Sequence, residues 1–76
     1  MVKAYILLTS AIGRVKDVFD RLKGLKNVKT VSIVTGPYDL IVLVEAEDLS
    51  TLTNTVVEEI REIEGVVDTN TAIIVQ

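Results

Sequence analysis

Histidine and cysteine are both absent from these 76 residues, and Tyr5, Phe19 and Tyr38 are the only aromatic side chains. Without cysteine there is no disulfide, and the thiolate and imidazole ligands that zinc favours are missing. The usual general base and the strong nucleophile of enzyme catalysis are missing with them. Catalysis is therefore not expected, nor is a cofactor. No apolar run approaches the ~20 residues that cross a bilayer. The opening MVKAYILLTSAIG has one lysine before an apolar stretch, superficially like a secretion signal, but Tyr5 interrupts the run and the segment alternates as a strand does. These readings give a soluble, cytoplasmic protein with no membrane contact. Glycine occurs four times, at 13, 24, 36 and 65, without the spacing of a phosphate-binding loop. Proline occurs once, at Pro37.

What is abundant is branched aliphatic surface, in a chain that is 49% hydrophobic. A domain this short buries only about 60% of its unfolded surface. With staples of sulfur or metal excluded, oligomerisation is the remedy left, and a dimer at least is expected. Charge is unevenly placed. Residues 1–29 carry seven Lys or Arg against two Asp, and residues 30–76 carry one Arg against nine acids, so balances of +5 and −8 give the net −3.

The hydrophobic period changes four times along the chain. Val2 to Thr9 alternates as a strand, with Val2, Ala4, Ile6 and Leu8 on one face. Val15, Val18, Phe19 and Leu22 then follow the spacing of an amphipathic helix that Gly24 stops. Val28 to Thr35 and Leu40 to Ala46 are expected as antiparallel strands about a turn at Gly36-Pro37-Tyr38-Asp39. Asp48 caps a second helix with the stripe Leu49, Leu52, Val56, Ile60, Ile63, ended by Gly65, and Val66 to Val75 is a last strand. Strand, helix, strand, strand, helix, strand is the order of the α+β ferredoxin-like fold, βαββαβ, as one domain over residues 1–76. Right-handed crossovers put both helices on one face of a four-stranded antiparallel sheet. Tyr5, Leu7, Ile41 and Leu43 are apolar on the other parity, which predicts that a second subunit's sheet covers the bare face. Which parity of the last strand faces the helices stays open.

Few residues are candidates for a site. Glu58, Glu59, Glu62 and Glu64 read as a solvated acidic face, and Glu45, Glu47 and Asp48 as a strand end with a helix cap. The basic first half raises nucleic acid, but RNA-recognition motifs of this fold stack bases on sheet aromatics. The third strand, LIVLVEA, has none, and the acidic half repels phosphate. The hairpin tip is different. Gly36 and Pro37 satisfy a β-turn, with Tyr38 third and Asp39 fourth, yet turn geometry asks for neither a phenol nor a carboxylate. Thr69 and Thr71 lie two apart, hence on one face of the last strand. Either these residues serve packing, or Asp39 and the threonine hydroxyls face a small amphoteric ligand.

KAYILL at the start, TGPYDLIV at the hairpin and EGVVDTNTAIIV at the end together resemble the effector domain of the Lrp/AsnC transcription regulators, the RAM domain. The resemblance covers the whole chain in the same element order. It implies sheet-to-sheet dimers that assemble into octamers or decamers, with an amino-acid effector bound near the hairpin between neighbouring dimers. Gly36, Tyr38 and Asp39 match the family's hairpin motif, and Thr69 and Thr71 its last-strand motif. Asp39 would then meet the α-ammonium, and hydroxyls or backbone amides the α-carboxylate. Pro37 stands where the family is often polar, and Leu40 where it is often aromatic. Family regulators carry a helix-turn-helix before this domain, which this sequence lacks, so no direct DNA binding is expected. The implied function is that of a non-enzymatic amino-acid sensor that modulates transcription, by co-assembly with full-length Lrp/AsnC regulators. The alternatives are a partner-binding module without an effector site, and a small dimeric ferredoxin-like barrel enzyme.

Overall fold

A computed structural model describes residues 1–76. The strands are β1 (Val2–Ser10), β2 (Val28–Ile33), β3 (Leu40–Ala46) and β4 (Val66–Ile73), with helix α1 at Val15–Lys23. Leu49–Thr51, a π-helical turn Leu52–Val56 and Val57–Arg61 follow one another without a break and form the second helix, α2. All strand pairs are antiparallel, in the order β2-β3-β1-β4. This is the ferredoxin-like arrangement that the element order predicts.

Alternation in the two central strands decides where the core lies. Ala4, Ile6 and Leu8 of β1 and Leu40, Val42, Val44 and Ala46 of β3 are buried beneath the helices. Val18 and Leu22 of α1, and Leu52, Val56, Ile60 and Ile63 of α2 and the turn after it, pack down on them. Every buried residue is apolar. Complete burial of a Val, Leu or Ile side chain is worth about 1.5–3 kcal/mol, so this single layer carries the fold. The stripe of α2 needs one correction: Leu49 is 52% exposed. The π turn that begins at Leu52 takes more residues per turn, so the buried stripe Leu52, Val56, Ile60 does not continue in phase back to Leu49.

Other boundaries shift modestly. β1 runs one residue further than expected, to Ser10. β2 stops at Ile33 rather than Thr35, and β4 stops at Ile73 rather than Val75. Helix α2 ends at Arg61, and Gly65 (φ +104°) serves instead as the bend into β4. Asp48 caps α2 as expected, its Oδ1 accepting from the Thr51 amide at 2.7 Å. That amide and then the Thr51 hydroxyl hold the Asp48 carboxyl below its ordinary value of 3.8. A depressed folded-state pKa means that the contribution is complete above the unfolded value and disappears as pH falls through the folded one. Asp48→Ala is therefore expected to melt below the wild type at pH 7, with the gap narrowing as pH falls below 3.8, in thermal scans followed by circular dichroism.

The sheet face away from the helices is open. Register places Thr30, Leu43, Tyr5 and Ala72 in one row across it, and Ser32, Ile41, Leu7 and Asn70 in the next. The centre of this face is apolar and its edges are mostly polar, with Tyr5 44% exposed.

Candidate functional site

The connection between β2 and β3 is closed by backbone bonds that reach beyond the hairpin itself. Val34 N–H donates to the Asp39 carbonyl at 2.9 Å. The Asp39 N–H does not turn back to Gly36, as a simple four-residue turn would have it; it donates to the Leu8 carbonyl of β1 at 2.8 Å. The Asp39 carboxylate completes the junction, its Oδ2 accepting from the Ser10 amide at 2.9 Å. β1 outruns its last pairing with β3, Leu8 with Leu40, so Ser10 needs an acceptor that strand β3 does not supply. Asp39 supplies it. Gly36 sits at φ +126° with nothing within 4 Å of where a Cβ would stand, so its backbone angle, and not crowding, calls for glycine there.

Tyr38 reaches over the open face, where its hydroxyl accepts from Asn70 Nδ2 at 3.4 Å. Asn70 registers with Leu7, and so shares the open face. Thr69 and Thr71 register with Leu8 and Ile6, on the parity of the helix-covered face. That settles the orientation of the last strand. The structure thus joins Asp39 to Ser10 and Tyr38 to Asn70, while the two threonines take the opposite parity of β4 from the residue that Tyr38 touches. Ser10 and Asn70 escaped the sequence reading. Asn70 had a signal, as the amide between the two threonines; Ser10 had none, because its part follows from the overhang of β1. The Ser10 hydroxyl is buried with no hydrogen-bond partner, beside a shift of register between Thr9 and Ser10. Such bulges concentrate next to active sites and at sheet edges.

Three surface clefts occur, and none is lined by Gly36, Tyr38, Asp39, Thr69 or Thr71. The recognition groups at the hairpin end of a single chain thus lie outside these clefts.

Residues 3–76 match the family model described as the Lrp/AsnC ligand binding domain. The chain belongs to the Lrp/AsnC family. An uncharacterised HTH-type transcriptional regulator of Pyrococcus horikoshii is 31% identical over 71 residues, which are 93% of this chain and 45% of the regulator. This chain thus spans less than half the length of that Lrp/AsnC relative. A hypothetical protein of Pyrococcus horikoshii has the same fold at TM-score 0.90 and 37% identity, over 100% of this chain and 92% of that one. A Neisseria meningitidis transcriptional regulator solved as a complex with L-Met shares the fold at TM-score 0.86 and 16% identity, over 99% of this chain and 50% of the regulator. The relatives that the chain matches are named as HTH-type transcriptional regulators. No helix is long and apolar enough to cross a membrane.

Proposed function

We propose that this Lrp/AsnC domain senses an amino acid at its hairpin end and passes the signal to transcription through assembly with other chains. The observation that carries the reading is the Asp39 carboxylate at the hairpin tip, with Oδ2 held by the Ser10 amide and Oδ1 left to meet an ammonium group. A carboxylate fixed by a backbone donor is already oriented before a ligand arrives, which lowers the entropy of recognition. The L-Met bound by the Neisseria meningitidis regulator supports the ligand class. In this reading Tyr38 and Gly36 shape the rim of the site, and Thr69 and Thr71 provide hydroxyls toward the carboxylate end. No cleft of a single chain is lined by these residues, so the pocket needs a neighbouring chain to close it. The apolar centre of the open face, Tyr5, Leu7, Ile41 and Leu43, supports a sheet-to-sheet dimer, and dimers close into octamers or decamers. A full-length Lrp/AsnC regulator is the partner through which the sensor reaches DNA.

The test is a thermal-shift panel of the purified protein against the twenty amino acids. A ligand at a hundred times its Kd stabilises by about 2.7 kcal/mol, which in a domain of this size raises the midpoint by roughly 10 °C or more. One or a few amino acids are expected to give that shift. Asp39→Ala is expected to abolish it while circular dichroism stays unchanged. A flat panel, with a full-length regulator still co-purifying, favours a second reading in which the Asp39 carboxylate serves only the Ser10 amide and the domain is a partner-binding module.

A further inference from the structure

At the end of the sheet opposite the hairpin, where β1 and β2 begin and β3 ends, lies a surface cleft of about 380 Å³. Its floor is fixed by a reciprocal pair of bonds. Asn27 Nδ2 donates to the Glu45 carbonyl at 2.9 Å, and the Glu45 amide donates to the Asn27 carbonyl at 3.0 Å. The Glu45 side chain is only 16% exposed and lies between Lys29 at 3.4 Å and Lys3 at 3.9 Å, so its charge is engaged. One wall is the start of α2, where Thr51 and Thr55 line the cleft four residues apart. The π turn Leu52–Val56 starts directly after Thr51 and contains Thr55. The Thr53 hydroxyl donates to the Leu49 and Ser50 carbonyls there. Single π turns inside α-helices are rare and concentrate at functional sites.

The remaining lining groups decide the ligand. Lys26 and Glu47 line the cleft and take part in none of the ion pairs of the molecule. The Thr55 hydroxyl makes none of the side-chain hydrogen bonds. Lys26 as a free cation, Glu47 as a free carboxylate and Thr55 as a free hydroxyl above a rigid floor complement a molecule that carries an ammonium, a carboxylate and an amide. The volume is at the lower end of the roughly 300–1,000 Å³ of small-ligand pockets, more than a single small amino acid fills. We propose that this cleft is a second ligand site, for a zwitterionic peptide of about two residues, with its carboxylate on Lys26, its ammonium on Glu47 and its amide on Thr55. The site is independent of the hairpin and of the reading given for it.

The probe is L-alanyl-L-alanine, titrated into the 15N-labelled protein and followed by amide chemical shifts. Saturable shifts are expected at Lys26, Asn27, Glu47, Thr51 and Thr55, with Asp39→Ala leaving them unchanged. The exposed double variant Lys26→Ala/Glu47→Gln is expected to bind at least tenfold more weakly. The N-acetylated dipeptide and the dipeptide amide, each lacking one charge, are expected to lose about as much. Shifts confined to Ser10 and residues 36–39, no saturation, or undiminished binding of the blocked dipeptides would each overturn the proposal. Free L-alanine binding as tightly as the dipeptide would overturn its peptide character.

Discussion

Ile6→Ala is expected to remove about 2–5 kcal/mol of stability, the range for emptying a fully buried aliphatic site. Ile6 has no exposed surface and sits in the central strand, in register with Val42 on one side and Thr71 on the other. Its side chain lies in the single layer between sheet and helices, so nothing beyond that layer can collapse into the space. A chain of this length holds roughly 4–11 kcal/mol in all, at about 0.05–0.15 kcal/mol per residue. The loss is thus a large share of the total. At about 4–8 °C per kcal/mol, the thermal midpoint should fall by roughly 8 °C at the least. The informative companion is Ile41→Ala, which removes the same atoms from the open face of the neighbouring strand. If the open face meets water, this change costs much less than Ile6→Ala. A comparable cost, growing with protein concentration, is the result expected of a sheet buried against a second copy.

Gly65→Val is expected to be the most damaging glycine substitution, at about 2 kcal/mol or more, and two separate causes add. The backbone angle of +104° disfavours any side chain, a conformational cost of order 1–2 kcal/mol. A Cβ at this position also stands 3.0 Å from Val18 Cγ2 and 3.1 Å from Arg14 Cβ, so the bend into β4 cannot accept it unless α1 shifts. The Gly65 carbonyl meanwhile accepts from Ala11 N–H at 2.7 Å, which ties the bend to the loop before α1 and limits its room to adjust. Gly36→Val separates the two causes, since that site has a comparable angle and empty space around it. Urea midpoints should fall further for Gly65→Val than for Gly36→Val. Equal losses would mean that the helix yields freely and only the backbone angle matters.

Alternation and helical spacing carried the fold because each element of this chain has one apolar face with a single use. β3, Leu40 to Ala46, matches its expected bounds, since a seven-residue run between Asp39 and Glu47 leaves no freedom. Strand ends near glycine were less legible. Alternation predicts β2 through Thr35, but chain reversal begins at Val34, whose amide bonds to Asp39. Leu49 misled because the π turn has no signature in hydrophobic spacing: the same leucines and valines fit an unbroken α-helix. At the candidate site, residue types pointed to Tyr38 and Asp39, but their partners could not be read. Ser10 and Asn70 come into play through the register of β1 against β3 and β4, which is a property of three strands at once and of no local motif.

The arrangement of the aromatic residues has an optical consequence. Tryptophan is absent and there are two tyrosines; Tyr5 points out from the open face, and Tyr38 hangs over it onto Asn70. Phe19 lies on the helix side, packed against the core. Tyrosine emission from this protein therefore originates at one side of the sheet, undimmed by transfer to an indole. The molecule carries its own unlabelled reporter of that surface, blind to the helices and answering to whatever approaches the hairpin or covers the strands beneath it.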